Sequence, residues 1–176
     1  MKKKGIVIVP IIGVIIVLAL IAGIIYFMLL GGQAVETHDI ADYDKRLEQS
    51  IYGDLRIFPQ EIAESASDTE YFYYYRNTIF DPTCQIYLRC TYADADYQAE
   101  IERLENIRER YQKKDVEGGY TTEDFEKEAY IYKCDSTYFY EYALAEPETN
   151  TIVYIHLQFI SEDGVVFDKA YLPKGF

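Results

Sequence analysis

The chain has 176 residues, with 30 acidic residues against 17 basic ones and a formal net charge of −13. This balance argues against nucleic-acid binding, because phosphate contacts need clustered Lys and Arg, and equally against a chain that lies flat on anionic lipid. Nineteen tyrosines and nine phenylalanines supply too much aromatic surface for a disordered chain.

Residues 6–30 are the most distinctive stretch, because they carry no charge and eighteen of them are Ile, Leu, Val or Phe. Roughly 20 apolar residues cross the hydrocarbon core of a bilayer, so the pattern predicts a transmembrane helix over 6–30. A cleaved secretory signal is the alternative, with Gly32-Gln33-Ala34 as the cleavage motif. The apolar run is longer than the roughly 7 to 15 residues of such signals, which favours an uncleaved anchor.

Charges beside the apolar run predict its orientation. Lys2, Lys3 and Lys4 precede it, whereas Glu36 is the first charged residue after it. The flank that is richer in Lys and Arg stays in the cytoplasm. We therefore expect residues 1–5 to be a cytoplasmic basic N-terminus and the C-terminal part to be extracytoplasmic, in a bacterial cell envelope.

The part after the apolar run divides into a juxtamembrane linker over 31–54 and one domain over 55–176. Ile40, Tyr43, Leu47 and Ile51 fall on one helical face, which predicts a short helix over 38–53. Residues 55–59 form a short extended piece in which Pro59 argues against a central strand.

Strand formers and one helical stripe predict the domain fold. Residues 70–80 and 84–92 are expected to form a hairpin around an Asp81-Pro82 turn, the second strand with one buried face. Tyr97, Ile101 and Leu104 belong to an apolar stripe that predicts a long helix over 94–113. A capping box from Thr121 to Asp124 predicts a short turn, and further strands are expected over 129–135, 137–145, 151–160 and 165–172.

The predicted fold class is therefore α+β. We expect an N-terminal transmembrane helix and then one domain, in which an antiparallel sheet of about five or six strands packs on one long helix. The cysteines Cys84, Cys90 and Cys134 lack metal-binding spacing. They are best interpreted as buried thiols, with a Cys90–Cys134 or Cys84–Cys134 disulfide as the alternatives.

Sites for metals or catalysis are weakly indicated. Asp94, Asp96 and Glu105 have calcium-loop spacing, but Ala99 stands where the loop needs Gly, and His38 with Asp39 and Asp42 is a poor metal site. His156 lies inside a strand, where a structural role is favoured over general-base catalysis. We predict no metal, no cofactor and no enzyme activity.

Two rows of tyrosines are the candidate binding residues. Tyr71, Tyr73 and Tyr75 share one face of a predicted strand, and Tyr138, Tyr140 and Tyr142 share one face of another. Outward-facing rows would form an aromatic surface suited to binding, because Tyr is enriched at interface hot spots. The competing interpretation places one row under the helix and makes the other a cross-strand ladder.

The expected function is a membrane-anchored, extracytoplasmic module that binds an unknown protein or envelope component without catalysis. The membrane itself, contacted through 6–30, is the other expected partner, and nucleic acid is not. One alternative is a tethered hydrolase of cell-wall glycans that uses carboxylate pairs such as Glu61 with Glu64 or Glu146 with Glu148. The other is a structural assembly subunit that associates through its span or through a thiol such as Cys134.

Overall fold

The computed structural model describes residues 8–30, 33–48, 55–77, 82–111, 119–135 and 138–176. The predictions for the N-terminal lysines, for Gly32 and for the Asp81 turn lie outside the described residues. The helices and strands are α1 (Ile8–Leu30), β1 (Ala34–Thr37), α2 (Tyr43–Glu48), β2 (Ser67–Arg76), β3 (Thr83–Thr91), α3 (Asp94–Tyr111), β4 (Glu128–Asp135), β5 (Phe139–Glu146) and β6 (Thr151–Gln158).

Six strands form one antiparallel sheet in the order β1-β2-β3-β6-β5-β4. The predicted α+β class with about five or six antiparallel strands is confirmed. The hairpin of β2 with β3 and the long helix α3 also occur where they were predicted. Strand β1 was not predicted, because its four residues, AVET, carry no clear alternation of apolar and polar side chains.

Both faces of the sheet are buried, which makes β6 fully buried along its whole length. One face packs against α3, α2 and the irregular segment 55–66. We call this the helix face. The opposite face packs against residues 159–176, together with Tyr120 and Phe125. We call this the tail face.

The strand predicted over 165–172 is wrong. Residues 159–176 instead contain two 3-10 helices, Glu162–Gly164 and Lys169–Tyr171. The Asp168 side chain caps the second of them by accepting a hydrogen bond from the Ala170 backbone at 2.9 Å. This local bond turns the chain, so its apolar residues lie across the tail face and do not extend the sheet.

The helix predicted over 38–53 is shorter and less regular than expected. It begins as a 3-10 turn, Ile40–Asp42, capped by Asp39, and continues as α2. Residues 49–54 lie outside the described part of the chain.

Helix α1 comprises 23 residues, and its side chains are exposed from residue 11 to residue 26. The transmembrane span expected over 6–30 is not supported. No helix within the described residues is long and apolar enough to cross a membrane.

Candidate functional site

A groove of about 740 Å³ opens on the tail face, between strands β2 and β3 and the C-terminal residues. Pockets of this size accommodate small ligands or peptide side chains. Its walls are aromatic and charged, formed by His38, Thr69, Glu70, Tyr71, Phe72, Tyr87, Arg89, Val166, Phe167, Asp168 and Tyr171.

Aromatic rings form the floor and one wall of the groove. Phe72 and Tyr87 are direct partners on β2 and β3, so their side chains share the tail face. The Tyr87 ring stacks on Phe167, with centroids 5.2 Å apart and planes 14° apart, and Tyr171 lies at 6.3 Å. The His38 ring contacts Phe72 at 4.8 Å. These contacts hold the aromatic surface in one arrangement.

One ion pair joins β2 and β3 in the groove. Arg89 lies 3.8 Å from Glu70, and the Tyr87 hydroxyl donates a hydrogen bond to Glu70 at 3.4 Å. Burial raises the pKa of Tyr87 well above its usual value, and the nearby Glu70 carboxylate raises it further. Tyr87 is therefore a neutral donor at physiological pH, and the Arg89–Glu70 pair places one cation and one anion beside the aromatic wall.

The helix face contains a buried polar network around residues 55–59. Ile57 and Phe58 are buried although their segment is irregular, so its backbone groups need partners inside the protein. Glu141 accepts hydrogen bonds from the backbone N–H groups of Arg56 at 2.5 Å and Ile57 at 2.7 Å. Arg103 donates to the carbonyl oxygens of the same two residues at 3.0 and 2.6 Å.

This network continues through α3 to the sheet. Arg103 forms an ion pair with Glu100 at 2.6 Å, and Glu100 accepts a hydrogen bond from the Tyr154 hydroxyl at 2.7 Å. The hydroxyls of Tyr154 and Tyr92 are 3.0 Å apart. Each member contacts another member or the backbone, which indicates a structural role for the network.

Glu141 and His156 are two buried ionisable groups whose pKa values are shifted by burial. Burial raises the pKa of Glu141 to about 7, against the two backbone N–H groups that favour its carboxylate. Burial lowers the pKa of His156 to about 4, against a hydrogen bond with the Tyr140 backbone. His156 was expected to be structural, and its ring lies against Phe139 at 4.8 Å.

The six tyrosines predicted to bind a partner lie on both faces of the sheet. Tyr71, Tyr73 and Tyr75 belong to the helix face, where the first two are buried and the third is half-buried. Tyr140 and Tyr142 are buried on the tail face. The expectation of outward-facing rows is corrected by this burial, since both faces of the sheet are covered. Tyr138 is the exposed member, with 59% of its surface accessible.

The other sequence-derived candidates are separated or already engaged. Glu61, Glu64 and Glu148 are exposed, and Glu146 forms an ion pair with Lys127 at 2.6 Å. Among the residues that the structure describes, no group of three or more His, Cys, Asp or Glu side chains is arranged to hold a metal.

The three cysteines are buried thiols, and none is half of a disulfide. Cys84 and Cys90 belong to the helix face, whereas Cys134 belongs to the tail face. The sheet therefore separates Cys134 from the other two, which explains why the alternative disulfides do not form.

Of the residues that line the groove, sequence reasoning named Tyr71 as a binding candidate and His38 as a poor metal ligand, but it missed Tyr87 and the C-terminal residues. The pattern of 84–92 predicted one buried face, which leaves Tyr87 and Arg89 on the opposite face, and residues 165–172 were predicted to be a strand of the sheet. The signal that remained was the pair of turn-forming residues Asp163-Gly164 and the cap residue Asp168, which together favour turns over a continuous strand.

No family model, curated protein or solved structure matches this chain.

Proposed function

We propose that the protein is a single-pass, membrane-anchored, extracytoplasmic binding module, and that the groove on the tail face is where it contacts a protein or envelope component. The observation that supports the proposal is the ion pair of Arg89 with Glu70, which lies beside the stacked rings of Tyr87 and Phe167. Aromatic and Arg side chains that are partly desolvated supply most of the energy at binding hot spots.

The anchor is inferred from the sequence. Residues 6–30 are uncharged, and three lysines precede them. Large apolar side chains of α1 such as Ile15, Leu18 and Ile24 are each more than half exposed in the isolated chain. Exposed apolar surface on this scale marks a membrane or protein contact, and insertion of the segment into a bilayer would cover it.

A binding role fits the groove better than catalysis does. Arg89 pairs with Glu70, Asp168 caps a 3-10 helix and His38 lies 3.8 Å from Glu36. A glycosidase would need a desolvated acid that faces a second carboxylate, whereas the Glu70 side chain is 64% exposed. The ionisable groups of the groove therefore already have structural contacts that a ligand could extend.

The anchor and its orientation are tested by protease treatment of intact cells that carry a C-terminal tag. We expect the untreated protein to be full length and to fractionate with membranes, and we expect the protease to remove its C-terminal tag. A protected tag would contradict the orientation, and a shorter species in the medium would contradict the uncleaved anchor.

The groove is tested with a photocrosslinking residue at Val166, which lines it and is 56% exposed. The control position is Glu102, an exposed residue of α3 on the other side of the sheet. With the crosslinker at position 166, we expect a discrete adduct. This adduct should disappear when Arg89→Ala is added and persist when the control substitution Glu102→Ala is added. An adduct that is insensitive to Arg89→Ala, or none at 166, would contradict the assignment of the groove.

A further inference from the structure

Five residues form one row across an end of the sheet. Ala34 pairs with Arg76, and Arg76 pairs with Thr83. Because Cys84 pairs with Gln158, Thr83 comes level with Phe159. The Phe159 backbone N–H donates to the Tyr138 carbonyl at 3.1 Å and completes the row. We call this row the β1-start edge.

Two aromatic residues of the β1-start edge have strained backbones. Tyr138 and Phe159 have φ angles of 59° and 48°, in the left-handed region that costs a residue with a side chain roughly 1–2 kcal/mol. Their rings nevertheless stack in the open, with centroids 5.8 Å apart and exposed fractions of 59% and 37%. Glycine would satisfy both backbones at lower cost, so the exposed rings themselves require an explanation. Strain of this kind concentrates at functional sites.

Chain connectivity indicates what covers these rings. Helix α1 ends at Leu30 and β1 begins at Ala34, so the two residues lie within about 14 Å of each other even when the chain is fully extended. Phe159 extends β6, three strands from β1, which is about 14 Å across the sheet. A bilayer that holds α1 therefore lies next to the β1-start edge.

We propose that Tyr138 and Phe159 contact the interfacial region of the bilayer and hold the domain upright on the membrane. Tyr rings, with one polar tip, concentrate at that depth, and the Phe159 ring that stacks on Tyr138 adds apolar surface beside it. The proposal rests on the proposed anchor and goes beyond it by assigning the surface that touches lipid. The acidic residues Glu162 and Asp163 follow closely along the chain, so the contact is aromatic and does not depend on anionic lipid.

This arrangement also places the groove away from the membrane. Glu70 lies six residues along β2 from Arg76, which is about 20 Å at the rise of a strand. Arg89 pairs with Glu70 in register at that level. The groove is then held clear of the lipid headgroups, where an envelope partner reaches it.

The sequence contains no Trp, so Tyr138→Trp introduces a single indole at the proposed contact. The matched control is Glu148→Trp, which places the indole at an exposed site of the 3-10 helix at the opposite end of the sheet. Each full-length variant is reconstituted in phosphatidylcholine vesicles that carry a shallow nitroxide quencher on the lipid. We expect both to float with the vesicles, and the indole at position 138 to lose about half of its emission while the control stays near its unquenched value.

The outcomes separate this proposal from the anchor. Flotation with equally weak quenching at both positions would overturn the membrane contact and leave the anchor intact. Failure of both variants to float would overturn the anchor and the contact with it. Quenching that depends on the protein-to-lipid ratio would indicate contact between copies of the chain and would also overturn the proposal. Unchanged quenching after addition of anionic lipid is the expected result.

Discussion

Glu141 and His156 face each other as direct partners on β5 and β6, and their pKa values move in opposite directions. Both are almost completely buried, and desolvation disfavours the charged form of each. Burial therefore raises the pKa of the acid to about 7 and lowers that of the base to about 4. The adjacent Arg103 and Arg56 oppose the shift of Glu141 without cancelling it. Near pH 7 His156 is therefore neutral, whereas Glu141 is close to the midpoint of its titration.

The two groups have opposite effects on stability as the pH changes. The raised pKa of Glu141 gives stability that is present below about pH 4.5 and lost as the pH rises through about 7. The lowered pKa of His156 gives stability that is present above pH 6.5 and lost as the pH falls through about 4. Each contribution is on the order of 3 kcal/mol, so the native protein should have a nearly flat stability profile between about pH 4.5 and 6.5.

We expect single substitutions to reveal the pH dependence of stability that each group contributes, because the two contributions no longer cancel. Glu141→Gln keeps an acceptor for the Arg56 and Ile57 backbone N–H groups, and its stability should fall as the pH is lowered from 6.5 to 4. His156→Gln should show the reverse, with stability falling as the pH rises from 4.5 to 7. Urea unfolding of the full chain in mild detergent, followed by tyrosine fluorescence, measures both. Profiles parallel to that of the native protein would contradict the coupling.

The long helix and three of the four strands expected after it could be predicted, because their apolar periodicity is local. Tyr97, Ile101 and Leu104 recur at helical spacing whatever packs against them. The alternation of β3, in contrast, predicted one buried face, although Gln85 and Tyr87 are buried as well.

The cover over that second face could not be predicted from local pattern. The Gln85 side chain donates to the Gly164 carbonyl at 3.2 Å and accepts from the Val166 backbone at 3.0 Å. In the sequence this polar residue looks like one on an exposed strand face. In the structure both hydrogen bonds of its amide are made with a segment about eighty residues away. The groove depends on the same long-range contacts, because Tyr87 gains its stacking partner only when Phe167 folds over the sheet.

The guanidinium of Arg103 is predicted to stabilise the buried segment 55–59. Arg103→Met keeps much of the apolar stem but removes the donor to the Arg56 and Ile57 carbonyls and leaves the Glu100 carboxylate with the Tyr154 hydroxyl and no cation beside it. The Glu100 side chain is only 13% exposed, so we expect a loss of about 3 kcal/mol in the free energy of unfolding.

Two comparisons make the Arg103 prediction specific. Arg103→Lys should lose less, because it retains the charge beside Glu100 but not the forked geometry. Glu102→Gln, on the exposed side of the same helix, should leave stability within about 0.5 kcal/mol. A Lys variant as stable as the native protein would show that the charge alone is enough and that the fork does not hold the segment.

The three thiols should be unreactive in the folded protein. Cys84, Cys90 and Cys134 are buried, and burial raises the pKa of Cys84 to about 12 and that of Cys90 above its usual value. Since the thiolate is the reactive form, a disulfide-exchange reagent should label none at pH 8 and all three after denaturation. Rapid labelling of one thiol before unfolding would indicate an exposed Cys and revive thiol-linked self-association.

Asp68 offers a test of backbone strain away from any proposed contact. Its φ angle is 46° and its side chain is exposed at the irregular start of β2, where the pairing with β3 shifts between Ser67 and Glu70. Glycine adopts this left-handed conformation without steric cost, although it adds entropy to the unfolded chain. We expect Asp68→Gly to raise stability by about 0.5 kcal/mol and Asp68→Ala to lower it by a similar amount, since Ala tolerates this region less well than Asp. Thermal unfolding of the two variants measures the difference, and a more stable Ala variant would contradict the left-handed geometry at this position.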